Sequence, residues 1–183
     1  MGRKKSWQDK FDGAKAPHVS VLEGPFAGVP AGGRLFIADP ALLDDWIASI
    51  PPGRTETIAA FRQAMATRHA ADATCPASTG IFLRIVAERA CEQLASGREP
   101  AQVTPFWRMI EPGSALAVKL SCGADFIATQ REIEARGQAS NRATGAQSGS
   151  MAARNAAKSA STSDKNASAA STAISALRSL KRS

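Results

Sequence analysis

The chain has 183 residues, no tyrosine, only two histidines and three cysteines. Cys75, Cys91 and Cys122 show no Cys-x-x-Cys spacing, and His18 and His69 stand alone, so neither a zinc site nor any other cofactor is expected. The odd cysteine count fits a reducing cytoplasm. No apolar run approaches the roughly 18 residues that a membrane-spanning helix needs. The basic residues Arg3, Lys4, Lys5 and Lys10 are not followed by the apolar stretch of a signal peptide. There is no P-loop and no Gly-x-Ser-x-Gly. The glycine-rich stretch lies near the N-terminus, not behind a strand. Asp44 and Asp45 are adjacent, so on a helix they point apart and cannot work as a catalytic pair. These absences set aside the common enzyme classes and a membrane partner.

What is present is basic charge, unevenly placed. The formal net charge is +7, yet residues 1–137 hold 16 basic against 15 acidic side chains. Residues 138–183 hold seven basic residues and one acid, Asp164. The polyanion affinity implied by the total therefore belongs mainly to the tail. Alanine and serine supply 24 of these last 46 residues, with no aromatic residue. Such a segment buries too little apolar surface to offset its ordering entropy, so disorder is expected to about residue 172. Ile174, Leu177 and Leu180 with Arg178, Lys181 and Arg182 form the pattern of a short basic helix.

Residues 1–33 are rich in glycine and proline and weakly patterned; they are read as a basic arm laid over the domain. Arg34-Leu35-Phe36-Ile37-Ala38 is a short apolar run suited to a strand or an extended lead-in. Asp39-Pro40 predicts a helix start, because Asp39 can accept from free N–H groups and Pro40 suits the first helical position. Leu42, Leu43, Trp46, Ile47 and Ile50 follow at helical spacing, and Pro51-Pro52-Gly53 ends the run. Thr55 or Thr57 caps the next helix, with Ile58, Phe61 and Met65 inward. A third helix is predicted from about Ala77 to Ser96, with Ile81, Phe82, Ile85, Val86 and Leu94 inward and Gly97 as its stop. Two such helices joined by a short turn suggest a helix-turn-helix. The segment from Phe106 to Leu120, broken at Pro112-Gly113, is expected to be a β hairpin or wing. A last helix is expected from Ala124 to Arg136, closed by Gly137. The expected fold is mainly α: a winged helix-turn-helix over residues 34–137 with a small β wing.

The run Thr104-Pro105-Phe106-Trp107-Arg108-Met109-Ile110 resembles the active-site segment of the alkylguanine-DNA alkyltransferases, which reads Pro-Cys-His-Arg-Val. Pro105 and Arg108 match; Phe106 stands in the cysteine slot and Trp107 in the histidine slot. Pro52-Gly53 followed by Thr57 resembles the start of that family's first helix-turn-helix helix. Ser78-Thr79-Gly80-Ile81-Phe82 falls where its recognition helix begins, and Gly113-Ser114-Ala115-Leu116 resembles its Asp-Gly-Ser-Leu turn. The ordered set covers roughly residues 34–137 and is closest to the divergent relatives that lack the acceptor cysteine. It departs from the family at Ile58, where a tyrosine is usual, at Ser78 or Thr79, where an arginine finger is usual, and in having no Gly-Gly-Tyr loop. These departures bear on base flipping as well as on alkyl transfer. The resemblance implies a DNA-binding protein without enzymatic activity, with double-stranded DNA, plain or alkylated, as partner, a role in sensing alkylated DNA in repair, and a place in the cytoplasm at the nucleoid. A protein-interaction module on the same scaffold, with a protein partner, is the first alternative. Residual methyl transfer to Cys75 is the second.

Two readings stand beside each candidate residue. Thr57, Ser78, Thr79 and Arg84 are the expected DNA contacts, the last three on the outward side of the third helix. Hydroxyls at a helix start suit phosphate and ordinary capping alike. Pro105, Phe106, Trp107 and Arg108 form the expected vestigial pocket. The two rings could stack on a base, a contact worth about 1–3 kcal/mol, or fill the core. Arg108 could hold loop carbonyls, pair a carboxylate or touch phosphate; a structural role is preferred. Glu88 and Glu92 further along the helix would repel phosphate. Cys75 sits at a helix start, where a thiol pKa can fall, but no histidine is near it in sequence, and a structural role is preferred.

Overall fold

A computed structural model describes residues 5–140. The basic residues Arg3 and Lys4, and the tail from residue 141 with its expected disorder and basic helix, lie outside the described residues. The described residues up to Arg136 form one compact unit. The described chain is mainly helical with a small three-stranded sheet.

The glycine- and proline-rich N-terminal segment carries two elements that its weak patterning does not announce. Helix α1 (Trp7–Asp12) starts at Ser6, whose hydroxyl accepts from the Asp9 N–H while the Asp9 carboxylate accepts from the Ser6 N–H. Too short to be stable alone, it is fastened to a later helix, α4 (Pro76–Ala95): the Trp7 N–H donates to Glu92 and the Arg89 guanidinium lies 3.8 Å from the centre of the Phe11 ring. Strand β1 (His18–Val21) pairs antiparallel with β2 (Arg34–Ile37), with Val19 opposite Phe36. In the loop between them Phe26 and Val29 bridge across Ala27 (φ 55°) and Gly28 (φ 84°), the positive φ pair of a tight hairpin turn.

Strand β2 obeys the period of two. Phe36 faces the main core, and Leu35 faces a smaller cluster with Val29 and Cys75. Helix α2 (Pro40–Ser49) starts where Asp39-Pro40 predicts; the Asp39 carboxylate accepts from the Leu42 N–H at 2.9 Å. Leu43 and Ile47 are its buried residues beyond Pro40. Helix α3 (Ile58–Arg68) buries Phe61 and Met65, as their spacing predicts. It ends in a left-handed Ala70 (φ 49°), where the Ala71 N–H reaches back to the Ala66 carbonyl. Strand β3 (Ala73–Thr74) then runs parallel to β2 before α4 begins. The link between α3 and α4 thus contains a strand of the sheet in place of a tight helix-turn-helix turn.

Helix α4 ends at Gly97 (φ 95°) as expected, with the Arg98 N–H bonded to the Gln93 carbonyl. Its buried face differs in part from the predicted one. Ile85 and Val86 are buried as predicted and Phe82 and Leu94 are half-buried, but Thr79, Leu83, Ala87 and Ala90 are buried as well, while Ile81 is 60% exposed. Helices α1 and α2 both pack against α4, α1 through Arg84, Arg89 and Glu92. The expected hairpin over Phe106–Leu120 is absent: the segment forms 3₁₀ turns at Phe106–Arg108 and Ala117–Lys119. Its N–H groups bond locally, Met109 to Phe106 and Leu120 to Ala117, and leave no ladder to pair. The sheet lies at the other end of the chain order. Residues 123–140 are helical (α5), so Gly137 does not close that helix. Gly137 is not among the positive-φ glycines and supplies no left-handed stop.

Candidate functional site

The four residues of the expected vestigial pocket part company in the fold. Phe106 is 0% exposed and lies in the core, edge-on to Trp107 with ring centres 5.5 Å apart and stacked against Phe126 at 6.1 Å. It lines no cavity. Pro105, Trp107 and Arg108 border a surface groove with Pro52, Ile133 and Glu134. The Trp107 ring is itself buried, and its indole N–H donates to Glu134 at 2.9 Å.

Arg108 makes a carboxylate pair and a carbonyl contact at once. Its guanidinium meets Glu134 at 2.8 and 3.0 Å and donates to the Ile50 carbonyl at the end of α2. Glu134 also accepts from the Gly53 N–H at 2.7 Å. Burial by itself raises the Glu134 pKa. The hydrogen bonds from Arg108, Gly53 and Trp107 outweigh it and hold the carboxyl below its ordinary value. Glu134 therefore ties α5, the Pro51–Gly53 break and the Phe106–Arg108 turn to one point. Nothing in its sequence neighbourhood marks it, since it is one of several charged residues in a polar helix.

Arg131, one turn earlier on α5, holds the other side of the same turn. Its guanidinium donates to the Trp107 carbonyl at 2.6 Å and the Ile110 carbonyl at 3.0 Å, and burial lowers its pKa. The Glu56 N–H donates to the Arg108 carbonyl at 2.9 Å, which joins the lead-in of α3 to this turn.

These contacts create a cavity of about 310 Å³. Thr57 and Ile58 border it at the start of α3, Leu83 comes from α4, Met109 and Ile110 follow the turn, and Ser114 and Leu116 come from the next loop. Arg131 is the cationic group in its wall, and Glu56 and Glu111 lie at its edge. Ser114 holds its own loop: the hydroxyl donates to the Glu111 carbonyl at 2.7 Å and accepts from the Ala117 N–H.

The expected DNA contacts are spread over two places. Thr57 is exposed and caps α3, its hydroxyl accepting from the Ala60 N–H at 3.1 Å. Thr57→Ala should cost about 1 kcal/mol of stability through the lost cap; a urea midpoint unchanged from the parent would mean that the hydroxyl does not cap in solution. Ser78 is half-buried, with its hydroxyl on the Cys75 carbonyl at 3.3 Å. Thr79 does not face outward. It is 0% exposed and donates to the same carbonyl at 2.6 Å, because the inward stripe of α4 runs through Thr79 and Leu83. The Arg84 side chain is 45% exposed, 3.7 Å from Glu88 and 5.5 Å from the Trp7 ring centre. Cys75 is buried between Leu35 and Val29, away from every cavity wall described above.

Among the described residues no helix is long and apolar enough to cross a membrane, and no group of three His, Cys, Asp or Glu side chains is placed to hold a metal ion. No family model, no curated protein sequence and no solved structure matches the chain.

Proposed function

We propose that this protein binds double-stranded DNA without enzymatic turnover, as a divergent relative of the alkylguanine-DNA alkyltransferases that has lost the acceptor cysteine, and that it senses alkylated DNA at the nucleoid of the cytoplasm. On this reading α3 and α4 are the helix pair of a modified helix-turn-helix, with the turn-rich Phe106–Leu120 segment in the place of a wing. The observation that carries it is the meeting of the motif pieces. Thr57, Met109 and Ile110 just after Arg108, and Ser114 and Leu116 are far apart in the chain, yet they border one cavity. That cavity is walled by Ile58, Leu83, Met109 and Leu116 and offers an apolar surface to a base or its alkyl group.

The absence of transfer chemistry rests on accessibility. Alkyl transfer needs a thiolate beside the alkyl carbon. The cysteine slot holds Phe106, and Cys75 is buried in the smaller cluster. The basic residues 138–183 add affinity through phosphates, independent of sequence and sensitive to salt. One observation favours a protein partner instead: residues 1–137 are nearly neutral, and Ile81 and Val118 are exposed apolar side chains.

Fluorescence anisotropy of the full chain, with a plain duplex and one carrying a single alkylated guanine across a salt series, tests the proposal. The expected result is tighter binding to the lesion, with a preference that survives added salt. Ile58→Trp, which fills the cavity, should remove the preference and leave plain-duplex binding. Equal affinity for both duplexes, a steep salt slope and no effect of Ile58→Trp would assign all binding to the tail and leave the protein-partner reading.

A further inference from the structure

We propose that Cys122 and Cys91 are a peroxide-reactive thiol pair, in which Cys122 is the site of oxidation and Cys91 closes an intramolecular disulfide with it. The pairing rests on how the loop before α5 is fastened to α4. Glu88 and Cys91 are three residues apart on α4 and both are buried. The Glu88 carboxylate accepts from the Ser121 hydroxyl at 2.7 Å and from the Ser121 N–H at 3.2 Å. The next residue, Cys122, is therefore brought down toward Cys91, one turn along the helix, and packs against the core cluster to which Cys91 belongs. The Gly123 N–H, bonded to the Leu120 carbonyl at a φ of 77°, closes the loop behind them.

The two thiols differ as an attacking and a resolving cysteine must. Cys91 is buried and Cys122 is partly open to solvent. The neighbouring Cys91 thiol pulls the Cys122 pKa down. Burial works against this, the Cys122 backbone N–H adds to it, and the Glu88 carboxylate opposes it; the balance is downward. The Cys122 thiol, together with burial, keeps Cys91 protonated. Cys75 is no competitor, being buried in a separate cluster against Leu35 and Val29.

The chemistry balances with hydrogen peroxide as the oxidant. The Cys122 thiolate sulfur attacks one peroxide oxygen, an S–O bond forms, the O–O bond breaks, and the leaving hydroxide takes a proton to become water. The sulfur is then a sulfenic acid, oxidised by two electrons. The Cys91 sulfur, losing its proton, attacks the Cys122 sulfur; the S–S bond forms, the S–O bond breaks and a second water leaves. The sulfurs must close to about 2.05 Å, with Cys122 on the loop before α5 and Cys91 within α4. A small dithiol reverses the step by exchange.

The full-length reduced chain tests this directly. It is treated with hydrogen peroxide, quenched with iodoacetamide and mapped by mass spectrometry without reduction. Trypsin places the three cysteines in different peptides: residues 69–84 with Cys75, 90–98 with Cys91 and 120–131 with Cys122. The expected product is a chain lighter by two hydrogen atoms, with peptides 90–98 and 120–131 linked, peptide 69–84 unlinked, and full reversal by dithiothreitol. Cys122→Ser, at the more open position, should abolish the mass loss, whereas Cys91→Ala should leave Cys122 as a sulfenic acid that dimedone traps. Both thiols recovered reduced while added glutathione is consumed would overturn the proposal. So would a link through Cys75, a link between two chains, or over-oxidised Cys122 beside reduced Cys91 in the parent. The parent map and Cys122→Ser decide the matter even if Cys91→Ala fails to fold.

Discussion

Arg108→Ala should lower the melting temperature by roughly 10–15 °C, the effect of breaking a buried ion pair worth about 3–5 kcal/mol in a domain of this size. The cost comes less from the lost attraction than from what remains. Both side chains of the pair are 13% exposed, so Glu134 would be left charged and largely dry, with only Gly53 and Trp107 to satisfy it. The Ile50 carbonyl would lose its partner as well. Arg108→Lys should recover only part of the loss, because an ammonium cannot serve both carboxylate oxygens and a carbonyl in one plane. Differential scanning calorimetry checks both variants; a fall of less than a few degrees for the alanine variant would mean that the pair is solvated in solution.

The same carboxylate sets an acid limit. Its folded pKa lies below its ordinary value of 4.5. The unfolded chain therefore binds the proton more readily, and stability must fall as pH falls. The contribution is complete above pH 4.5 and is lost as pH drops through the folded value. Glu134→Gln should flatten this part of the stability curve while lowering stability at neutral pH.

Phe106→Ala should cost about 3–5 kcal/mol, as expected for emptying a fully buried aromatic site. The ring contacts Trp107 and Phe126 and is closed to solvent, so the loss is one of packing and dispersion. Urea unfolding gives the magnitude. Anisotropy on the folded variant should show DNA affinity close to that of the parent, because Phe106 is closed to solvent and borders neither the groove nor the cavity described above. A stability loss under about 1 kcal/mol combined with lost binding would reverse the assignment and make the ring a ligand contact. The comparison separates the two roles that the sequence leaves open for this position, core filler and stacking platform.

Phe106 and Arg108 are near neighbours with opposite legibility. Phe106 is apolar, and any apolar residue in a small domain invites burial. Arg108 is a cation whose partner lies 26 residues away in a helix with three other charged side chains after residue 130. The cavity has the same character. Thr57 and Ser114 could each be read as a turn or cap residue, but their approach to one space depends on Arg131 and Glu56 bonding the turn between them.

The sequence by itself determined what local chemistry controls. Asp39-Pro40 and Thr57 start α2 and α3 because a side-chain oxygen placed there satisfies free N–H groups within three residues. Gly97 ends α4 because only a residue tolerant of positive φ can turn the chain there. Leu43, Ile47, Phe61 and Met65 are buried where their 3.6-residue period puts them. Tertiary structure decided that Thr79, Leu83, Ala87 and Ala90 join Ile85 and Val86 on the buried side of α4 while Ile81 is left exposed, since apolar residues occur all around this helix. It also made a strand of the glycine-rich arm, because β1 becomes a strand by pairing with β2. Long-range contacts likewise joined Glu134 to Arg108 and set Cys122 on Cys91: these pairs are separated by tens of residues, and no spacing in the chain records a contact made only when two helices and a loop close on one another.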